Sequence, residues 1–175
     1  MSHGQSEFAL RKIGHVVLNV SDLDASVRFY TEVLGLQVSD RYPESMVPGG
    51  MVFMRCNTDH HGVALVGGGG ALERSSLNHF AFEVGSLEEV FRARAWLQQH
   101  GVPIIFEGRR RAGCQVAVEF RDPDGNNLEI YWGLDQIGTD GRARPASEWR
   151  QAKTLEDAVA NPIPGQRLPP PGDRR

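Results

Sequence analysis

Two stretches of this chain repeat one order of apolar and polar positions. An apolar, β-branched run at residues 13–20 precedes apolar residues at helical spacing over 24–34, and the same succession returns at 77–84 and 87–99. A short β-branched run predicts a strand, and apolar positions recurring every three or four residues predict an amphipathic helix. The second copy is offset from the first by 64 residues. The pattern therefore predicts a structural repeat.

Further apolar runs complete each copy, so that each half is predicted to be a βαβββ module. The α+β fold expected from this is one domain at residues 8–133, made of repeats at about 11–67 and 75–133. Strands are predicted at 11–20, 36–41, 50–56, 61–66, 78–84, 103–107, 114–121 and 126–132, and helices at 24–34 and 87–99.

Residues 134–175 differ in composition, being rich in proline and in charged residues. Residues 154–160 are predicted to form one short helix. Such proline-rich, charged chain ends bury little apolar surface, so the segment from 161 onward is expected to be loosely ordered. We therefore interpret 134–175 as a partly disordered C-terminal extension.

Composition narrows the class of protein. Hydrophobic residues make up 40% of the chain and no apolar run approaches 18 residues, which predicts a globular protein that does not enter the membrane. The formal net charge of −3 does not provide the excess of basic residues that is typical of nucleic-acid-binding proteins. Without a signal-like start, and with Cys56 and Cys114 far apart, we expect free thiols and a cytoplasmic location. The arginine run 109–111 is expected to be a solvated loop.

Three residues carry candidate chemistry: His15 and His79, at equivalent positions of the two copies, and Glu129. A single histidine on an apolar strand is more often a hydrogen-bonded core residue than a ligand. Repetition brings both imidazoles toward one axis, however, and a carboxylate in an apolar strand interior is costly unless it is paired or metal-bound. Two histidines and one carboxylate are the ligand set of non-haem iron(II) sites.

These motifs resemble the vicinal oxygen chelate superfamily, which includes glyoxalase I, bleomycin-resistance proteins and extradiol ring-cleaving dioxygenases. The similar pieces are Gly14 with His15, Asn78 with His79, and the turn at 122–125 leading to Glu129. The resemblance covers residues 12–132. It implies paired βαβββ modules that form a cup of mixed strands around one divalent metal, held by the two histidines and the glutamate.

The first copy lacks the counterpart of Glu129, because that position falls on Ala64 or Leu65. In glyoxalase-like members of the superfamily, each half supplies one carboxylate ligand to the metal. Three protein ligands leave positions open for an organic substrate and O₂. This difference favours oxygen chemistry and predicts no fourth protein ligand.

Beyond the metal ligands, the resemblance to extradiol dioxygenases implies that His61 is an active-site proton donor, with an exposed loop histidine as the alternative. Arg110 and Glu119 stand where those enzymes carry a second histidine and a tyrosine. Arginine cannot shuttle a proton but can bind an anionic oxygen. We expect Arg110 and Glu119 to form a compensating salt bridge at the pocket rim.

The leading hypothesis is an iron(II)-dependent extradiol-type dioxygenase that cleaves a catechol-like aromatic with O₂, Mn(II) being the alternative metal. A second hypothesis is a metal-dependent isomerase, epimerase or lyase that uses Glu119 as base. A third is a resistance-type protein that binds a small molecule. A homodimer or higher homo-oligomer is expected, because exposed strand edges favour pairing.

Overall fold

The computed structural model describes residues 12–69, 77–137 and 142–166. Its elements follow the repeat. The strands are β1 (Val16–Asn19), β2 (Gln37–Tyr42), β3 (Met51–Arg55), β4 (Val63–Val66), β5 (Phe80–Glu83), β6 (Ile104–Arg109), β7 (Val116–Arg121) and β8 (Asn127–Trp132). The helices are α1 (Leu23–Arg28), α2 (Leu87–Gln99) and α3 (Leu155–Ala160).

The strands form two four-stranded sheets with the same topology. The first has the order β1-β4-β3-β2 and the second β5-β8-β7-β6. In each sheet the first strand of the module pairs in parallel with the last, and the remaining pairs are antiparallel. The prediction of an α+β fold built from paired βαβββ modules is therefore confirmed, and β1 and β5 are edge strands.

The first predicted helix, at 24–34, consists of an α-helical part and a π-helical part. Asp22 caps α1 by accepting a hydrogen bond from the backbone N–H of Ala25 at 2.9 Å. From Phe29–Val33 the chain continues as a π-helix, where the Thr31 hydroxyl donates to the carbonyl of Val27 at 2.8 Å. The helix ends at Gly35, whose φ of +72° suits a residue without a Cβ.

One face of each sheet is buried in a shared core. In the first sheet this face carries Leu18, Val52 and Leu65, and in the second Phe120 and Leu128, all nearly or fully inaccessible. The alternation of strand side chains turns the other face of each sheet away from that core. His15 and Val17 lie on this other face and are exposed.

Helix α3 packs against β6 and β7, with Thr154 as its cap.

The prediction that the arginine run is a solvated loop is wrong for Arg109, which is 3% exposed. Its guanidinium donates to the carbonyls of Arg150, Ala158 and Asn161, because the C-terminal segment folds over it.

The expected loose end of the chain is partly described. Ile163 is buried and the Gln166 amide donates to the carbonyl of Gly133, so residues 161–166 contact the second module. Residues 167–175 lie outside the described part of the chain.

Both cysteines are free thiols, as predicted. Among the helices that the structure describes, none combines the length and apolar character needed to cross a membrane.

Candidate functional site

The first module contributes a group of histidines beside the edge strand β1. His15 directly precedes β1, and its ring centroid lies 4.6 Å from that of His61, in the loop between β3 and β4. His61 also packs against Phe53 at 5.0 Å between centroids, and its Nδ1 lies 3.0 Å from Nδ1 of His60. The structure therefore brings two predicted site residues, His15 and His61, side by side.

The surroundings of the His61 imidazole favour its neutral form. Desolvation lowers its pKa below the ordinary value, and the neighbouring rings of His15 and His60 lower it further. A neutral imidazole can accept a proton at one ring nitrogen and donate one from the other. This group can therefore act as an acid or a base toward a molecule bound beside it.

The second module contributes a histidine–carboxylate pair. His79 directly precedes β5, and its Nε2 lies 3.4 Å from Oε2 of Glu129 on β8. The parallel pairing of β5 with β8 places Ala81 opposite Glu129, which sets this approach. His79 Nδ1 lies 2.7 Å from Oδ1 of Asn78. This contact orients the ring so that Nε2 faces the carboxylate, and such a partner on the second ring nitrogen is typical of histidines that bind metals.

Glu129 is a buried carboxylate, with 2% of its surface exposed. Gln115 Nε2 donates to its Oε1 at 3.3 Å. Burial raises the pKa of the Glu129 carboxyl, although the hydrogen bond from Gln115 and the nearby His79 act to lower it. Burial of a carboxylate with such limited compensation is costly unless a cation joins it.

Sequence reasoning missed Gln115. The sequence could have pointed to this residue, because side chains alternate along a strand. Residue 115 therefore shares a face with residues 117 and 119, next to Glu129. It missed Asn78 as a partner of the His79 ring as well, although it used Asn78 as part of a motif.

The spacing of the His79–Glu129 pair fits a divalent metal. Two ligand atoms bound at about 2.0–2.2 Å, with roughly 90–110° between the bonds, lie about 2.8–3.6 Å apart, and the observed spacing is 3.4 Å. Imidazole nitrogen and carboxylate oxygen suit iron, manganese or zinc. His15 and His79 line one cavity of about 590 Å³, bordered by both edge strands.

The structure does not draw His15 into the same close group. Within residues 12–69, 77–137 and 142–166, no three His, Cys, Asp or Glu side chains lie near enough together to hold one ion. The residues that could hold the metal are His79 and Glu129, with His15 across the cavity.

Arg110 and Glu119 form the predicted salt bridge. Arg110 Nε and Nη2 donate to the two oxygens of Glu119, each at 2.7 Å. The guanidinium carbon lies 3.6 Å from the centroid of the Phe106 ring. Glu119 is also the direct cross-strand partner of Glu129, so the pair borders the candidate metal site.

Comparison with known proteins identifies the family of this chain. Residues 12–130 match the family model described as the Glyoxalase/Bleomycin resistance protein/Dioxygenase superfamily. A solved glyoxylase/bleomycin resistance protein/dioxygenase domain from Frankia sp. EAN1pec is 26% identical in sequence. It superposes with a TM-score of 0.60, over 71% of this chain and 98% of that one.

Two relatives are named as ring-diol dioxygenases. Biphenyl-2,3-diol 1,2-dioxygenase of Paraburkholderia xenovorans (strain LB400) is 33% identical over 85% of this chain and 51% of its own length. The manganese-dependent 2,3-dihydroxybiphenyl 1,2-dioxygenase of Geobacillus genomosp. 3 is 28% identical over 73% of this chain and 38% of its own. The chain thus spans about half the length, or less, of these two relatives. By sequence and fold, it belongs to the Glyoxalase/Bleomycin resistance protein/Dioxygenase superfamily.

Proposed function

We propose that this protein is an iron(II)-dependent extradiol-type dioxygenase that cleaves a catechol-like aromatic, with Mn(II) as the alternative metal. The observation that carries the proposal is the His79–Glu129 pair, spaced for one ion, together with the cavity that His79 and His15 both line. Relatives named as dioxygenases of catechols and biphenyl diols support the same class of reaction.

The protein residues have separate tasks in this proposal. Asn78 fixes the ring of His79, and Gln115 fixes one oxygen of Glu129. His79 and Glu129 would hold a divalent metal, which when bound would act as a Lewis acid toward the catechol hydroxyls. A cavity of about 590 Å³ accommodates a substituted aromatic ring.

His61 is the proposed proton carrier. Its ring is half-buried beside His15, which itself lines the cavity. A lowered pKa favours the unprotonated ring, which would be free to accept a proton from the diol and to return it as the aromatic ring opens. This role needs one histidine in hydrogen-bond reach of the substrate.

Lewis-acid chemistry with Glu119 as base is the second candidate. The observation in its favour is that Glu119 lies directly opposite Glu129, beside the candidate metal. Its bidentate pairing with Arg110 opposes this role, because both carboxylate oxygens already accept hydrogen bonds from the guanidinium. We therefore rank ring cleavage first.

To test the proposal, the protein is purified anaerobically and its metal content is measured. It is then assayed with catechol, 3-methylcatechol and 2,3-dihydroxybiphenyl as substrates. Ring cleavage predicts one equivalent of iron or manganese, O₂ uptake equal to substrate consumed, and a yellow ring-opened product. Glu129→Gln and His79→Ala are expected to lose the metal and the reaction together. Metal binding without O₂ uptake on any diol would favour the Lewis-acid reaction, and absence of metal binding would favour a binding protein.

We also propose that the protein is a homodimer or a higher homo-oligomer. Val17 and Tyr42, on the first sheet's face away from the core, are 49% and 36% exposed, and β1 is an edge strand. Exposed apolar side chains beside a strand edge favour association of copies. Light scattering on the purified protein is expected to give twice the chain mass or more, and a monomer at micromolar concentration would contradict this.

A further inference from the structure

The second sheet places two carboxylates directly opposite each other. Glu119 of β7 and Glu129 of β8 are cross-strand partners. Side chains of such partners leave the sheet on the same face, with their Cβ atoms about 4.5–5.5 Å apart. From that position the carboxylate of Glu119 would lie close to an ion held by Glu129. Like charges in direct opposition are also unfavourable, so the arrangement requires compensation.

Arg110 supplies that compensation with a fixed geometry. Its Nε and Nη2 occupy both oxygens of Glu119, and its plane rests on Phe106, the partner of Glu119 on the other neighbouring strand. A planar guanidinium that pairs through two bonds and stacks on a ring has little freedom to turn. The carboxylate of Glu119 is therefore held toward β6.

We propose that Arg110 is a positioning residue that holds the Glu119 carboxylate away from the metal beside Glu129, so that Glu119 does not become a further protein ligand. This inference rests on the proposed metal centre. Its consequence is an open coordination position for the diol or O₂. The identity of residue 110 thereby decides whether the site has one carboxylate ligand or two.

The test measures binding of Co(II) to the metal-free protein, because the visible absorption of Co(II) reports its ligands. In Arg110→Met, Glu119 is free to bind, so the dissociation constant should fall roughly 10-fold, the scale on which outer partners alter metal affinity. The Co(II) spectrum should change as well. Catechol should perturb that spectrum less than in the wild type, because a position is filled.

Three further variants separate the explanations. Glu119→Gln and the double variant Arg110→Met/Glu119→Gln should bind Co(II) with the wild-type spectrum, because neither offers a second carboxylate. Arg110→Lys should fall between Arg110→Met and the wild type, since lysine keeps the charge without the two-bond fork.

Three outcomes would overturn the proposal. They are an unchanged Co(II) spectrum in Arg110→Met with or without tighter binding, an altered spectrum that persists in the double variant, and an altered spectrum in Glu119→Gln alone. A wild-type protein that binds no Co(II) would instead refute the metal centre proposed above. Arg110 has an exposed side chain, so Arg110→Met should fold, and circular dichroism checks this.

Discussion

At the scale of single residues, the burial of Glu129 is the dominant feature of the site. A carboxylate that is 2% exposed, with one hydrogen bond at 3.3 Å from Gln115, pays a desolvation penalty that a bound cation would offset. The metal-free protein should therefore be less stable than the metal-bound one, because Glu129 destabilises the fold when no cation is bound beside it.

The Glu129→Gln variant should make the metal-free protein more stable at neutral pH. Because burial raises the pKa of this carboxyl in the folded state, the folded protein holds its proton more tightly than the unfolded chain does. The destabilisation is therefore present above the folded pKa and disappears as the pH falls through it. Thermal unfolding of both proteins between about pH 4 and 8 should show a gap that closes on acidification. A variant that is less stable at every pH would contradict this.

His61→Ala should separate metal binding from turnover. His61 contacts the ring of His15 but is not needed to bind the ion, so metal content should stay near that of the wild type. Ring-cleavage turnover should fall about 10²–10⁴-fold, the usual effect of one acid–base group. His100→Ala, at the end of α2 and bonded to the carbonyl of Trp96, is the matched control. Equal turnover in wild type and His61→Ala would show that His61 has no part in the reaction.

At the scale of elements, a hydrogen-bonded clamp joins the first helix to the turn between β7 and β8. The Tyr30 hydroxyl donates to Oδ2 of Asp122 at 2.9 Å, and both residues are buried. Asp124, two residues on, accepts from the hydroxyls of Ser21 and Ser26. The clamp fixes the two modules relative to each other and so fixes the cavity between β1 and β5.

Tyr30→Phe should destabilise the fold by about 1.5–3 kcal/mol, the value of a hydrogen bond to a charged group. The buried Asp122 loses one donor, while the ring of residue 30 keeps its packing. Urea unfolding gives the free energy, and Tyr42→Phe is the control, since Tyr42 is 36% exposed. If both variants unfold at the same urea concentration, the clamp contributes nothing.

At the scale of the whole molecule, Arg109 attaches the C-terminal segment, residues 142–166, to the second module. Its guanidinium donates to the carbonyl of Asn161 at 2.7 Å and to that of Ala158. A backbone bridge between Arg109 and Ala152 supports the same contact. Desolvation lowers the pKa of this guanidinium, which nevertheless stays charged at any physiological pH.

Arg109→Met should loosen the C-terminal segment while leaving the two sheets folded. The carbonyls of α3 and its C-cap lose buried donors, so local opening becomes more frequent. Trypsin should then cut faster after the exposed Lys153. Arg111→Met, at an exposed neighbouring position, is the control and should be cut at the wild-type rate. Unchanged cleavage in Arg109→Met would refute the attachment.

The sequence by itself determined the elements. The predicted and observed bounds of α2 coincide at residues 87–99, because strong helix formers and a Ser86 cap are local properties. The repeated pattern likewise determined two βαβββ modules. The π-helix at Phe29–Val33 was not predicted, because a single π-helical turn of 5 residues is too short to show its own apolar spacing.

The site shows the same division between local and non-local information. Sequence pattern and resemblance pointed to His79, Glu129 and the pairing of Arg110 with Glu119, and the structure brings each of these pairs together. Only the tertiary structure showed that His15 stands beside His61, and that Arg109 is buried beneath α3. These contacts depend on how one sheet packs against the other and on where the C-terminal segment folds back. Such placement follows from the burial of surfaces far apart in the chain, which no local pattern of residues records.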